Sequence, residues 1–89
     1  MTREKVQEVV LKNIRNVLID LAAMDIPTGA SLKDLGANSI DRADIVVQCL
    51  EDLQLAIPLV ELRGPSNISG LVSLLYEKLQ ERPATHAAG

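Results

Sequence analysis

The sequence contains no phenylalanine and no tryptophan, and Tyr76 is the single aromatic among 89 residues. So little aromatic surface offers no platform on which nucleic-acid bases stack. The core must instead be assembled from Leu, Ile, Val and Ala, which dominate the 47% hydrophobic content. One cysteine, Cys49, excludes an internal disulfide, and one histidine, His86, lies near the C-terminal end. That inventory supplies neither a metal-ligand cluster nor a base for a nucleophilic serine, so no metal site and no catalytic residue are expected. No apolar run approaches the roughly 18–20 residues of a membrane span. The charged start Thr2-Arg3-Glu4-Lys5 lacks the apolar segment of a signal peptide. Positive charge is outnumbered, 9 basic against 12 acidic residues, giving a net charge of −3 and a pI near 5.0. That balance argues against nucleic acid and anionic membrane as partners and favours basic proteins. The expected compartment is cytoplasmic.

What is present is helical periodicity. Val6, Val9, Val10, Ile14, Val17, Leu18 and Leu21, with Asn13 on the same side, recur at spacings of three and four. They predict a helix over about residues 3–21 with Thr2 as its N-cap. Pro27 and Gly29 break the pattern, and a long link follows to Asn38. Within it Ser31-Leu32-Lys33-Asp34-Leu35 predicts a single turn, pinned to the core by Leu32 and Leu35. A second helix is predicted over about Ser39 to Leu53, and a short one over Pro58–Arg63, with proline in the first position. Gly64-Pro65 ends it. A last helix, capped by Ser66 or Asn67, carries Ile68, Leu71, Val72, Leu75 and Leu79 on one side. The expected fold is all-α, a small bundle of three main helices plus one short helix. Residues 1–82 form the domain and residues 83–89 a flexible tail.

At about 100° per residue the second helix has two apolar groups. Ile45, Val46, Cys49 and Leu53 fall together. Ile40, Ala43, Val47 and Leu50 form a second stripe on another side, bordered by Asp44 and Glu51, with Asp41, Gln48 and Asp52 just beyond. A helix of a small bundle needs one apolar stripe to fold. Either Leu50 and Val46 merge the two into one broad buried face, or the second stripe is a docking surface whose acids meet Arg or Lys on a partner. Residues 39–53 set four acids against Arg42, a local charge of −3, whereas residues 3–21 hold four bases and three acids. The acidity is therefore local, which favours docking.

The turn Leu35-Gly36-Ala37-Asn38-Ser39-Ile40-Asp41 delivers a serine to the start of that helix. Asn and Ser are both common N-cap residues, and in that reading Ser39 is only a cap, with Ser39→Ala costing about 1 kcal/mol. A nucleophile is excluded by the missing base and by the absence of a G-x-S-x-G elbow. The remaining reading is a serine that is modified. A phosphodiester there lies at a helix N-terminus, where free N–H groups and the macrodipole favour negative charge. Gly36 and Ala37 leave room for a modifying enzyme.

The run Asp34-Leu35-Gly36-Ala37-Asn38-Ser39-Ile40-Asp41 resembles the phosphopantetheine attachment site of acyl carrier proteins, where a leucine-glycine turn precedes Asp-Ser-Leu. The similarity continues through the second helix to Leu55-Ala56-Ile57-Pro58 and into the last helix, over roughly residues 4–80. The resemblance implies that 4′-phosphopantetheine, supplied by coenzyme A in the presence of magnesium, is attached to Ser39 beside Gly36 and Asn38. The acyl group then rides as a thioester on this arm, and the chain itself is not an enzyme. The resemblance further implies docking through Ile40, Asp41, Ala43, Asp44, Val47, Leu50 and Glu51, with Ile45, Val46, Cys49 and Leu53 inside. Its partners on this reading are a phosphopantetheinyl transferase, an acyltransferase, a ketosynthase-like decarboxylase and a hydroxymethylglutaryl-synthase-like enzyme, and the carrier is a monomer.

Two departures set the chain apart from carriers of fatty acid synthesis. Asn38 replaces the Asp before the serine, and Leu50 stands where an acid is common. Asn-Ser-Ile in a short chain is similar to discrete carriers of polyketide β-branching, which donate an acetyl unit. Two alternatives remain open: a fatty acid carrier, and an unmodified helical adaptor that binds through the stripe from Ile40 to Leu50. Cys49 is expected as a core thiol and Tyr76 as a half-buried packing residue. Arg42 falls toward the inner side of the wheel, yet near enough to the helix end for its head to reach water. Met24 packs under either the arm or the core.

Overall fold

Helix α1, Arg3–Val17, begins where Thr2 Oγ1 accepts the amide of Lys5 at 3.2 Å. It buries Val6, Val10, Asn13 and Ile14 on one side. The computed structural model describes residues 2–21, 24–58 and 67–81. Within them the chain continues with a 3₁₀ turn, Ile19–Leu21, then α2, Ser39–Leu53, and α3, Ile68–Glu81. There is no strand among the described residues. The expected all-α bundle is therefore present as three main helices. The predicted short helix Pro58–Arg63 and the tail 83–89 lie outside the described residues, apart from Pro58 itself.

The first helix is shorter than its apolar pattern predicts. Its last i→i−4 bond runs from the Leu18 amide to the Ile14 carbonyl at 2.8 Å, and Leu18 itself leaves helical geometry. The chain then tightens, with the Leu21 amide donating to Leu18 at 2.9 Å and the Met24 amide to Leu21 at 3.0 Å. A 3₁₀ turn keeps apolar residues at a spacing of three, so the pattern of Leu18 and Leu21 persists after the α-helix has ended.

Inside, Val6, Val10 and Ile14 of α1 meet Ile45, Cys49, Leu50 and Leu53 of α2 and Ile68, Leu71, Val72 and Leu75 of α3. The link adds Ile26, with Leu32 and Leu35 half-buried against the same core. It is also pinned through its backbone. The Ile68 amide donates to the Ala30 carbonyl at 3.0 Å and the Ser69 amide to Thr28 at 2.9 Å, so the link satisfies first-turn amides of α3. Asn67 caps that helix by accepting the Gly70 amide at 2.7 Å. Arg3, at the start of α1, ties that helix to the first half of α3 by donating to Ser73 Oγ at 2.9 Å and Ser69 Oγ at 3.2 Å.

Candidate functional site at the start of the second helix

The turn before α2 is built by reciprocal side-chain capping. Ser31 Oγ accepts the Asp34 amide at 3.0 Å, and the Asp34 carboxylate accepts the Ser31 amide at 3.3 Å. The predicted turn over residues 31–35 closes with the Leu35 amide on Ser31 and the Gly36 amide on Lys33. Gly36 then takes a φ of +91°, which strains any residue with a Cβ, and a Cβ placed there meets nothing within 4 Å. The left-handed step turns the chain back, and the Ala37 amide donates to Leu32 at 3.0 Å. The sequence suggests that Ala37 leaves room beside Gly36, but it does not share that open space. It is 5% exposed and plugs the core beneath the turn.

Asn38, not Ser39, is the N-cap of α2. Its Oδ1 accepts the Asp41 amide at 2.7 Å, and the Asp41 carboxylate returns to accept the Asn38 amide at 3.3 Å, completing a capping box. Ser39 is the first helical residue, exposed, with its hydroxyl free of any capping duty. Its Oγ accepts a hydrogen bond from Arg42 Nη2 at 3.3 Å. Only the spacing of three, which puts both residues on one side of a helix, points to that contact from the sequence. Arg42 is exposed, its inward position on the wheel overridden by its place on the first turn.

The docking candidates divide. Ile40 is 72% exposed and Val47 38%, and Ala43, Asp44 and Glu51 are exposed beside them. Asp41 is half-buried and committed to the capping box. Leu50 departs from the expected outer stripe. It is 8% exposed and joins the core cluster. On the wheel it borders Val46 and Leu53, and the chain turns directly after α2: Gln54 adopts a left-handed φ of 55°, and the Leu55 amide donates to the Leu50 carbonyl at 2.9 Å. The second stripe is thus narrower than its sequence pattern, running through Ile40, Ala43 and Val47. Among the link residues, Met24 is 56% exposed.

A polar contact inside the α1–α2 seam fixes the register of this helix. Asn13, 2% exposed, donates from Nδ2 to Asp52 Oδ2 at 2.9 Å and to Cys49 Sγ at 3.6 Å, while Lys12 pairs with Asp52 at 3.0 Å. The Asn13 bond, then Lys12, hold the Asp52 carboxyl below the usual carboxylate range. Burial pushes the Cys49 thiol up to about 11, so it is a neutral core group at physiological pH, as expected of a thiol on the inner stripe. Tyr76 is half-buried against the core, also as expected.

An exposed hydroxyl at a helix start, a cation within hydrogen-bond distance and open space over Gly36 fit a group attached through a phosphodiester. Comparison with known proteins agrees. Residues 11–75 match the family model for the phosphopantetheine attachment site, a span that includes Ser39. The chain is 42% identical over 80 residues to the polyketide biosynthesis acyl-carrier-protein AcpK of Bacillus subtilis (strain 168), covering 90% of this chain and 98% of that protein. Its fold is similar, with a TM-score of 0.81 and 37% identity, to a chain in the crystal structure of the curacin biosynthetic pathway HMG synthase in complex with acetyl donor-ACP. That match covers 84% of this chain and 96% of the other, so the matched chain is slightly shorter than this one, the size of a carrier and not of a synthase.

Proposed function

The chain belongs to the family of acyl carrier proteins that bear 4′-phosphopantetheine, and from that premise we propose that Ser39 is the attachment point and that the cargo is an acetyl unit donated in polyketide β-branching. As a member of this family the chain is a carrier and not a catalyst, and the arm supplies a thiol on which an acyl group is held as a thioester. The observation that carries the Ser39 assignment is its exposure at the first position of α2 with Asn38 already serving as cap. In the adaptor reading Ser39 is only a cap; the capping bond belongs to Asn38, which supports a separate use for the Ser39 hydroxyl.

The residues of the site have separate tasks. Gly36 gives the turn its left-handed step and keeps the approach to Ser39 open. Asn38 and Asp41 hold the first turn of α2, so the hydroxyl is presented from a fixed backbone. Ile40, Ala43 and Val47 offer a partner an apolar strip, and Asp44 and Glu51 meet its Arg or Lys side chains. The partners on this reading are a phosphopantetheinyl transferase, the acyltransferase and ketosynthase-like decarboxylase that provide the acetyl group, and a hydroxymethylglutaryl-synthase-like acceptor.

The acetyl-donor role draws support from the 37% identity to a chain of the complex between an HMG synthase and its acetyl donor carrier, and the polyketide setting from the 42% identity to AcpK. It is tested by loading the protein with acetyl-phosphopantetheine and adding an HMG-synthase-like enzyme with a second carrier bearing a β-ketoacyl group. Intact-protein mass spectrometry should record loss of the acetyl mass from this chain. Retention of the acetyl group, while the same enzyme accepts it from another donor carrier, contradicts the assignment.

A further inference from the structure

Arg42 is the sole base on α2, and it stands in the first turn, where the helix dipole disfavours a cation. Nothing in the fold of the described residues repays that placement. No carboxylate among them lies within ion-pair distance of its guanidinium, which is exposed, so neither packing nor a salt bridge accounts for it. Asp41, its neighbour, is turned back to the Asn38 amide. Among the described residues, the one side-chain hydrogen bond of the guanidinium is to Ser39 Oγ, at 3.3 Å.

We infer that Arg42 is a positioning residue for the prosthetic group, pairing with the phosphodiester once Ser39 is loaded and fixing the base of the arm against α2. The inference rests on Ser39 as the attachment point. In loading, Ser39 Oγ bonds to the coenzyme A phosphorus that bears the pantetheine. The bond from that phosphorus to the oxygen of 3′,5′-adenosine diphosphate breaks, and the Ser39 proton passes to a base of the transferase or to solvent. The product places one negative charge on two oxygens attached to the phosphorus now bonded to Oγ. A guanidinium already hydrogen-bonded to Oγ is thereby brought next to an anion, and its contact changes from a charged donor on a neutral hydroxyl to a pair of opposite charges. The planar donor fork of arginine suits two phosphate oxygens, whereas a lysine offers a point charge on a shorter reach. Before loading, the same bond occupies a lone pair of Oγ and orients the hydroxyl that must react.

The test uses the full chain as wild type, Arg42→Ala and Arg42→Lys, each loaded with unacylated phosphopantetheine and confirmed by mass at Ser39. The readouts are the ³¹P resonance of the phosphodiester and the side-chain ¹⁵N resonance of Arg42. On loading, the Arg42 side-chain resonance of the wild type should shift. The ³¹P resonance should differ between wild type and Arg42→Ala at about 0.01 M salt, and the difference should shrink at about 1 M, where the screening length falls from about 30 to about 3 Å. Arg42→Lys should recover part of the difference, and backbone resonances of α2 beyond its first turn should coincide in all three. Identical ³¹P resonances in wild type and Arg42→Ala at low salt, with Arg42 unmoved on loading, overturn the inference and leave the Ser39 assignment standing. A wild-type chain that takes up no phosphopantetheine, or takes it up elsewhere, removes both.

Discussion

At the scale of single residues, the start of α2 separates two roles that the sequence leaves superimposed. Asn38 and Ser39 are both good cap residues, and no spacing rule says which of them is the half-helical one. The capping box with Asp41 assigns the cap to Asn38 and frees Ser39. Asn38→Ala should therefore cost about 1 kcal/mol in urea denaturation, while Ser39→Ala, at a first helical position that tolerates alanine, should shift stability by no more than about 0.5 kcal/mol. Equal losses in the two variants contradict the assignment of the cap. Asn13 was legible only as a polar residue on an apolar side, because its partners Asp52 and Cys49 are more than thirty positions away in the chain. Cys49 itself is fully buried with its thiol pushed up to about 11. It should resist alkylation in the native protein at neutral pH and react at the rate of a free thiol once denaturant is added, which a maleimide time course measures.

At the scale of the element, α2 is the helix whose two ends were readable, since a cap-forming pair precedes it and its apolar positions stop at Leu53. The breadth of its buried face was not. A wheel places Leu50 between the inner and outer stripes, and periodicity does not report that it joins the core, nor that Leu55 packs against the same core after the chain turns at Gln54. The consequence is measurable. Leu50→Ala should cost about 2–5 kcal/mol as a core truncation. Val47→Asp should cost about 1 kcal/mol or less in folding yet weaken partner association markedly, by titration calorimetry against a partner enzyme. A large stability loss in Val47→Asp places Val47 in the core instead. The α1–α2 seam also has a pH signature. The Asp52 carboxyl titrates below its ordinary 3.8 when folded, so its contribution is in force above 3.8 and is lost as pH falls through the lowered folded value. Asp52→Asn should therefore flatten the acid limb of the stability curve in that window and run parallel to the wild type above it. A difference from wild type that grows as the pH rises above 5 contradicts the Lys12 ion pair and the Asn13 hydrogen bond as its source.

At the scale of the whole molecule, three helices on an aliphatic core were foreseeable from periodicity alone, because Leu, Ile and Val at spacings of three and four have few other uses in a short chain. The link between α1 and α2 was foreseeable only in outline. Its attachment to α3 through Thr28 and Ala30 is made by backbone groups, which carry no sequence signature. The apolar spacing of the first helix outruns the helix itself, since a 3₁₀ turn continues it through Leu21. The assembled molecule sets an exposed serine and a narrow apolar strip on one helix, so that, on the proposed assignment, the arm and the docking surface belong to the same element. The claim at the centre is that Ser39 bears the arm. Intact-protein mass spectrometry after incubation with coenzyme A, magnesium and a broad-specificity phosphopantetheinyl transferase tests it most directly. The account predicts one added phosphopantetheine, mapped to the Ser39 peptide and absent from folded Ser39→Ala; an arm on the alanine variant, or no addition to folded wild type with several transferases, contradicts it.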